Sequence, residues 1–252
     1  RSLGCRTGME RMTLFVHSST ISPTCQSCLL LVAESKLPVK IKVLAYDEGE
    51  RFSKDFLKLN PYHCVPTLKQ EDGFVIWESH TVMRYLCDYF SDSSKEPSLI
   101  IKTCYPSNIK ARARVNQLLD YRHCKLYPSI LKATMPFLGY EAPVSQQVAE
   151  STRKQLHEEL ERFSSVYLRE EGKYAGGFHH PTIADFSIVP ALGFTTVLKG
   201  YELPKRIQAY IKDFTKNVAS YEEINKGFIL KTKQLALAIE KRLSHKSQLS
   251  DD

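Results

Sequence analysis

The sequence predicts a mixed α/β N-terminal domain followed by an all-α C-terminal domain. Short apolar strands alternate with helical segments in residues 12–90, whereas every strong periodic signal in residues 107–243 is helical. Between them, residues 91–106 are rich in serine and proline, which is typical of a linker. A chain of 252 residues is long enough for each domain to bury its own core. Residues 1–11 are interpreted as a leader or disordered arm, and residues 244–252 as a frayed polar tail.

The N-terminal domain begins with a strand, a helix and a second strand. The two short apolar strands are Thr13–His17 and Ile41–Tyr46. The helix between them begins near Ser22, has its buried face at residues 29–33 and ends before Pro38. Two strands that are joined by a helical crossover lie parallel in one sheet, as in thioredoxin-like folds.

A β-hairpin and a helix follow, after a proline that begins a strand. Val65 and Pro66 open this segment, and the Asp72-Gly73 pair predicts a tight turn before the next strand. An X-Pro bond at this place is a candidate cis peptide, since only proline lowers the cis penalty to about 0.5–1 kcal/mol. A cis bond would leave the Val65 backbone groups facing a ligand. Ser79, in the first turn of the following helix, offers a hydroxyl and free N–H groups to a carboxylate.

The order of proline, strand, hairpin, strand and a helix that opens with Glu78-Ser79 resembles the glutathione-binding half of cytosolic glutathione transferases, in particular the theta class and the insect epsilon class. The resemblance extends from Met12 to Phe228. It implies the glutathione transferase fold, in which a thioredoxin-like βαβαββα domain precedes an all-α substrate-binding domain. It also implies a cytoplasmic homodimer that conjugates glutathione, its co-substrate, to hydrophobic electrophiles or reduces organic peroxides. The subunits would meet across the helix that begins at Ser79 and the helix of residues 108–134.

Ser22 lies at the start of the first helix, in the segment Ser-Pro-Thr-Cys. A hydroxyl at this place is close to the positive helix end and to free N–H groups, which together suit a thiolate. The resemblance implies that the Ser22 hydroxyl donates a hydrogen bond to the glutathione sulfur, which favours the ionised thiol. A simple helix N-cap is the structural alternative, and the hydroxyls of Ser18, Ser19 and Thr20 are alternative donors.

Two other classes of function are compatible with the sequence. Cys25 takes the second position of a Cys-Pro-x-Cys redox motif in which Ser22 replaces the first cysteine. A thiol–disulfide oxidoreductase with Cys25 or Cys28 as the nucleophile is therefore one alternative. The other is a non-catalytic protein that binds glutathione or hydrophobic ligands.

The resemblance also implies which residues hold glutathione. Arg51 takes a position where theta and epsilon enzymes usually have a histidine that contacts the glycyl carboxylate, and arginine makes such a contact bidentately. His63 would share this carboxylate, while Cys64 stands where theta enzymes tend to have lysine. Glu78 would bind the ammonium group of the γ-glutamyl end, and Ser79 its carboxylate. The implied glutathione-binding set is Arg51, His63, Cys64, Val65, Pro66, Glu78 and Ser79.

The C-terminal domain is predicted to consist of long helices. Residues 108–134 form one helix, or two that are interrupted near Pro128, and residues 111–126 resemble the first long helix of theta-class second domains. Family enzymes line the electrophile pocket from this helix. Three of its residues are candidates for that pocket: His123, Cys124 and Tyr127. Tyr127 replaces an arginine that theta enzymes often have, so substrate chemistry specific to that class is not implied.

Further helices are predicted over residues 145–171, 204–217 and 221–243. Thr182 and Asp185 have the spacing of a capping box ahead of an apolar helix. The resemblance assigns this box to the second domain of the transferases, where its role is structural.

Charge and cysteine content exclude several functions. The formal net charge is +7, and residues 91–252 carry +6 of it. Basic and aromatic residues do not interleave as in an RNA-binding sheet, so an anionic small ligand or a solvated helix face explains the charge better than a nucleic acid. No apolar run reaches the length of a membrane span, and no metal site is predicted. Seven cysteines without paired spacing indicate a reducing compartment, in accord with a cytoplasmic location.

Overall fold

The computed structural model describes residues 11–17, 22–93, 98–138, 144–168 and 172–228, and also positions 230, 234 and 237. The alternative donors Ser18, Ser19 and Thr20 lie outside the described residues, as do residues 1–10 and the predicted tail at 244–252. The last predicted helix is helical at residues 221–228, and most of its second half lies outside the described residues.

A four-stranded sheet forms the centre of the N-terminal domain. Its strands are β1 (Met12–His17), β2 (Val39–Leu44), β3 (Thr67–Gln70) and β4 (Val75–Trp77), and helix α1 (Pro23–Glu34) joins β1 to β2. The strand order is β2-β1-β3-β4, with β1 parallel to β2 and β3 antiparallel to both of its neighbours. This confirms the predicted α/β arrangement, with β2 lying two residues earlier than predicted.

Strand β1 is buried on both faces. Because successive side chains of a strand point to opposite faces, Leu14 and Val16 pack in the main core while Phe15 packs on the other side. There Phe15 joins Leu44 and Phe56, and the ring centroids of Phe15 and Phe56 are 5.8 Å apart. This double burial fixes β1 as the central strand of the sheet.

The segment between β2 and β3 contains two 3-10 turns, Tyr46–Glu48 and Glu50–Phe52, and helix α2, Lys54–Leu59. The helix that the βαβαββα arrangement implies between β2 and β3 is therefore α2. Gly49 lies between the two turns with a φ of 85°, a left-handed conformation that glycine adopts without a Cβ clash. Phe52, at the end of the second turn, has half of its surface exposed.

Part of the predicted linker is helical. Helix α3 spans Ser79–Ser93, and a further short helix, α4, spans Leu99–Cys104. The Ser98 hydroxyl accepts a hydrogen bond from the Ile101 N–H at 3.3 Å and so caps α4. Ile101 and Cys104 are buried, which explains why this serine-rich and proline-rich stretch is not an extended linker throughout.

The helical region continues with α5 (Ile109–Tyr121), α6 (Tyr127–Leu138), α7 (Gln146–Tyr167), α8 (Ile183–Gly193) and α9 (Lys205–Asn217). A π-helical turn, Arg122–Leu126, joins α5 to α6, so the interruption predicted near Pro128 falls one turn earlier. Proline has no N–H and its ring crowds the carbonyl four residues before it, which places the distortion in the preceding turn. Among the described residues, no helix is both long and apolar enough to cross a membrane.

Helix α8 is buried along its whole length and packs against α1 of the N-terminal domain. The predicted capping box is confirmed at its start, where the Asp185 carboxylate accepts hydrogen bonds from the Thr182 N–H at 2.7 Å and the Thr182 hydroxyl at 2.8 Å. The same carboxylate accepts from the Ala175 N–H at 3.0 Å and the Tyr210 hydroxyl at 2.8 Å. Asp185 therefore joins α8, α9 and the loop before α8.

Replacing Asp185 by alanine is expected to lower the free energy of unfolding by about 3 kcal/mol or more. The change leaves several buried donors without an acceptor, and each such orphan costs roughly 1–3 kcal/mol. The matched control is Tyr210→Phe, which removes one donor and leaves the carboxylate three others, for a loss of about 1 kcal/mol. Urea unfolding measures both, and a D185A variant no less stable than Y210F would contradict this role.

Candidate active site

Ser22 caps α1 and faces a cleft. Its Oγ accepts a hydrogen bond from the Cys25 N–H at 3.4 Å and lies 2.7 Å from the Thr24 Oγ1. Pro23 follows at the first helical position, where no N–H is needed. The N-cap interpretation is thus confirmed, and the half-buried Ser22 also lines the wall of the cleft. A hydroxyl and the positive end of a helix therefore meet at one point of the wall.

The cleft has a volume of about 510 Å³ and lies between the N-terminal domain and the helical region. Both sides contribute aromatic and apolar groups, but the charged group and most of the polar groups come from the N-terminal domain. The lining residues are His17, Ser22, Pro23, Tyr46, Gly49, Arg51, Phe52 and Val65 on the first side, and Tyr127, Met135 and Phe194 on the second. This lining would match a polar ligand on the N-terminal side and an apolar second ligand on the helical side.

Arg51 lies in the cleft with unsatisfied hydrogen-bonding capacity. Its guanidinium carbon is 4.1 Å from the ring centroid of Tyr46 and 4.6 Å from that of Phe52. The two rings hold the flat guanidinium in place, while its buried Nε has no hydrogen-bond partner. An arginine held in this way is suited to an anion, because its fork of N–H donors matches a carboxylate.

The sequence analysis did not identify three residues of the lining as site residues: His17, Tyr46 and Phe52. The rings of His17 and Tyr46 are 4.3 Å apart, and Phe52 lies on the other side of Arg51. His17 ends β1 and Tyr46 follows β2, so both lie at the carboxyl ends of parallel strands. Ligand sites form at that edge of α/β sheets, which is the signal that could have identified them.

The segment from His63 to Pro66 lies beside the cleft, and of its four residues only Val65 lines the wall. The Val65–Pro66 bond is cis, as predicted, and Val65 lines the wall. His63 is exposed, with its ring centroid 4.8 Å from that of Phe52. The Cys64 sulfur instead accepts a hydrogen bond from the Asn60 amide at 3.3 Å, and neither His63 nor Cys64 is among the lining residues.

Glu78 and Ser79 occupy the start of α3, outside the lining of the cleft. Glu78 is exposed and has a φ of 70°, which is uncommon for a residue other than glycine and concentrates at functional sites. Ser79 is buried, and its carbonyl accepts a hydrogen bond from the Cys28 thiol at 3.6 Å. Both residues are therefore placed at a helix N-terminus, as predicted.

Only one of the three predicted electrophile-pocket residues lines the cleft. Tyr127 is in the wall, whereas His123 and Cys124 are exposed and lie outside it. The reason is the π-helical turn, which inserts an extra residue and so changes which side chains face inward. The turn buries Arg122 instead, a residue that the sequence analysis did not single out.

Cys25 and Cys28 are completely buried. Burial raises the pKa of the Cys25 thiol from 9.0 to about 11 and that of Cys28 well above 9.0. Both thiols are therefore protonated at neutral pH, whereas a nucleophilic cysteine must be an accessible thiolate. This environment does not suit a thiol–disulfide exchange centre.

Comparison with known proteins agrees with this architecture. A model of the glutathione S-transferase N-terminal domain matches residues 21–88. Glutathione S-transferase D7 of Anopheles gambiae is 31% identical over 177 residues, which cover 70% of this chain and 74% of that protein. An epsilon-class glutathione S-transferase from the housefly, Musca domestica, superposes with a TM-score of 0.71 at 28% identity, covering 92% of this chain and 98% of its own.

The human glutathione-S-transferase T1-1 structure has a TM-score of 0.76 and covers 88% of this chain and 91% of its own. Its identity is 20%, so it supports the fold alone. The fold class and the resemblance predicted from the sequence are confirmed. The chain belongs to the glutathione S-transferase family.

Proposed function

We propose that this protein transfers glutathione to hydrophobic electrophiles, or uses it to reduce organic peroxides, by means of a thiolate that Ser22 stabilises. The observation that carries the proposal is the position of the Ser22 hydroxyl, which caps α1 and lines the cleft between the two parts of the chain. In this proposal residues 12–90 hold glutathione, and residues 107–243 hold the second substrate.

The hydrogen bonds around Ser22 leave a proton available for a thiolate. Its oxygen accepts from the Cys25 N–H, and the Thr24 hydroxyl is placed to donate to it. When the Thr24 hydroxyl is the donor in the second contact, the Ser22 proton is available for donation to sulfur. Donation to the anion, together with the positive end of α1, lowers the pKa of a bound thiol.

Arg51 is proposed to bind the glycyl carboxylate of glutathione, with His63 close enough to the same aromatic group to assist. Val65 is proposed to pair with the glutathione backbone from the wall of the cleft, with Pro66 and Cys64 holding its position. The γ-glutamyl end would then extend to the start of α3. Glu78 would meet its ammonium group there, and Ser79 its carboxylate.

A cytoplasmic homodimer is part of the proposal. Several large apolar side chains near the ends of β4, α4 and α5 are exposed, which a second subunit would cover. They are Phe74, Leu99 and Ile109, with 43%, 75% and 84% of their surface exposed.

Replacing Ser22 by alanine is expected to lower kcat/KM about 100-fold, the size of effect seen when one donor to a reacting anion is removed. The matched control is Ser145→Ala. The Ser145 Oγ caps α7 and accepts a hydrogen bond of the same length, 3.4 Å, from the Val148 N–H. Each change should lower stability by about 1 kcal/mol. Steady-state conjugation assays check the difference, and equal activity of the two variants would place the catalytic hydroxyl elsewhere.

Replacing Arg51 by alanine is expected to weaken glutathione binding about tenfold or more, because a charge-assisted hydrogen bond is lost. The contact exists before and during the reaction, so KM should rise while kcat stays nearly constant. Lys54→Ala removes an exposed positive charge from the neighbouring helix and serves as the control. Calorimetric titration with glutathione measures both, and equal weakening in the two variants would show only a general charge effect.

Alkylation by iodoacetamide at neutral pH is expected to modify Cys124, which is exposed, and to leave Cys25 and Cys28 unmodified. Since the pKa of Cys25 is raised to about 11, its thiolate fraction should increase only as the pH approaches that value. Peptide mass spectrometry reads each site, and the urea-unfolded protein is the control in which all are modified. Rapid modification of native Cys25 would instead support the oxidoreductase alternative.

A further inference from the structure

Arg122 is a buried arginine that has no countercharge among the described residues. It has 1% of its surface exposed and lies in the π-helical turn between α5 and α6. Its Nε and Nη2 are buried and have no hydrogen-bond partner, and no ion pair joins it to a carboxylate of the described residues. Buried charges in proteins are normally paired, so an isolated one requires an explanation.

The charge of Arg122 persists at neutral pH. Burial lowers the pKa of the guanidinium from 12.5 to about 10, which still leaves it protonated. The described groups near it add no negative charge. On α3, the His80 ring is hydrogen-bonded to the Ser187 hydroxyl of α8 at 2.8 Å, and burial together with the neighbouring Arg122, Arg84 and His123 lowers its pKa from 6.5 to about 3. His80 is therefore neutral at physiological pH.

The guanidinium of Arg122 is directed at Tyr127. Its central carbon is 4.1 Å from the ring centroid of Tyr127, which lines the cleft together with Ser22. Among the described residues the Tyr127 hydroxyl has no hydrogen-bond partner. Burial and the nearby Cys25 raise the pKa of Tyr127, and Arg122 opposes the shift, so the hydroxyl is protonated at neutral pH. Tyr127 lines the cleft, so its hydroxyl, which no described residue occupies, is available as a donor there.

We propose that Arg122 is a positioning residue for the transfer reaction, which holds and polarises Tyr127 so that the tyrosine hydroxyl stabilises negative charge developing on the electrophile. This inference rests on the proposed function. The glutathione thiolate forms the new bond to an electrophilic carbon, and the electron pair moves onto the acceptor atoms or leaving group of the electrophile. Tyr127 donates a hydrogen bond to that charge and keeps its proton.

Because the charge of Arg122 has no partner among the described residues, its removal should change stability and kcat in different ways. Replacing a buried charged group by an apolar side chain of similar volume is often neutral or stabilising, because its desolvation penalty is removed. Arg122→Met should therefore unfold at the same or a higher temperature than the wild type. Its kcat should fall about tenfold, since the charge acts across a region of low dielectric. A residue that served packing alone would give the opposite pattern, with lower stability and unchanged kcat.

The experiment measures kcat, KM for glutathione and the unfolding temperature for the wild type, R122M, R122K, Y127F and the double variant R122M/Y127F. We expect R122M and Y127F each to lower kcat with little change in KM for glutathione, and R122K to recover most of the loss. Because Arg122 acts through Tyr127, the double variant should be no slower than the slower single variant. The R122M effect should persist at high salt, since a buried charge is little screened.

Each other outcome counts against the proposal. Unchanged kcat in R122M, or a loss of kcat that accompanies a lower unfolding temperature and is not recovered by R122K, would overturn it. Additive losses in the double variant would overturn the route through Tyr127. A wild-type protein that binds glutathione but shows no turnover would overturn the proposed function, and this inference with it. An active wild type with an R122M variant of equal kcat would overturn this inference alone.

Discussion

Helix α8 has no solvent-facing side. Its burial determines how the helical region packs against the N-terminal domain. Every residue from Ile183 to Leu192 is buried, so other elements must enclose the helix on all sides. Asp185 fixes where it begins, through four hydrogen bonds from three segments. Since α1 packs against α8 and α3 and shares one hydrophobic core with the sheet, the helix that Ser22 caps is held from several directions. The precision of the site depends on this packing.

The charges around the cleft are unevenly distributed. Its polar side contains Ser22 and Arg51, and Arg122 lies behind Tyr127 on the other side. No carboxylate is among the described residues that line it. Its donors and positive charge suit an anionic ligand, and in our proposal the helical side receives the hydrophobic partner. In our proposal, the guanidinium of Arg122, which has no countercharge among the described residues, lowers stability and serves activity, an exchange that functional sites show.

The elements of the N-terminal domain and the start of α8 could be predicted from the sequence, because their signals are local. The hairpin residues, the proline before β3 and the capping pair Thr182 and Asp185 each determine backbone geometry within a few positions. The family resemblance followed from the order of these signals. The positions of His123 and Cys124 relative to the cleft could not be predicted in the same way, because one π-helical turn changes which side of a helix faces inward. Position 122 falls at helical spacing among the apolar residues Leu118, Leu119 and Leu126, a periodic signal that the sequence analysis did not use because the residue there is a charged arginine.

The central claim is that Ser22 and the end of α1 stabilise a thiolate, and a pH titration of the ultraviolet absorbance of bound glutathione tests it most directly. The protein without glutathione supplies the background, to which Cys25 contributes little because the pKa of its buried thiol is about 11. The account predicts that glutathione bound to the wild type ionises well below the pKa of the free thiol, and that the S22A variant reverses this shift. An unshifted thiol in the wild-type complex would contradict the account and indicate a protein that binds glutathione without activating it.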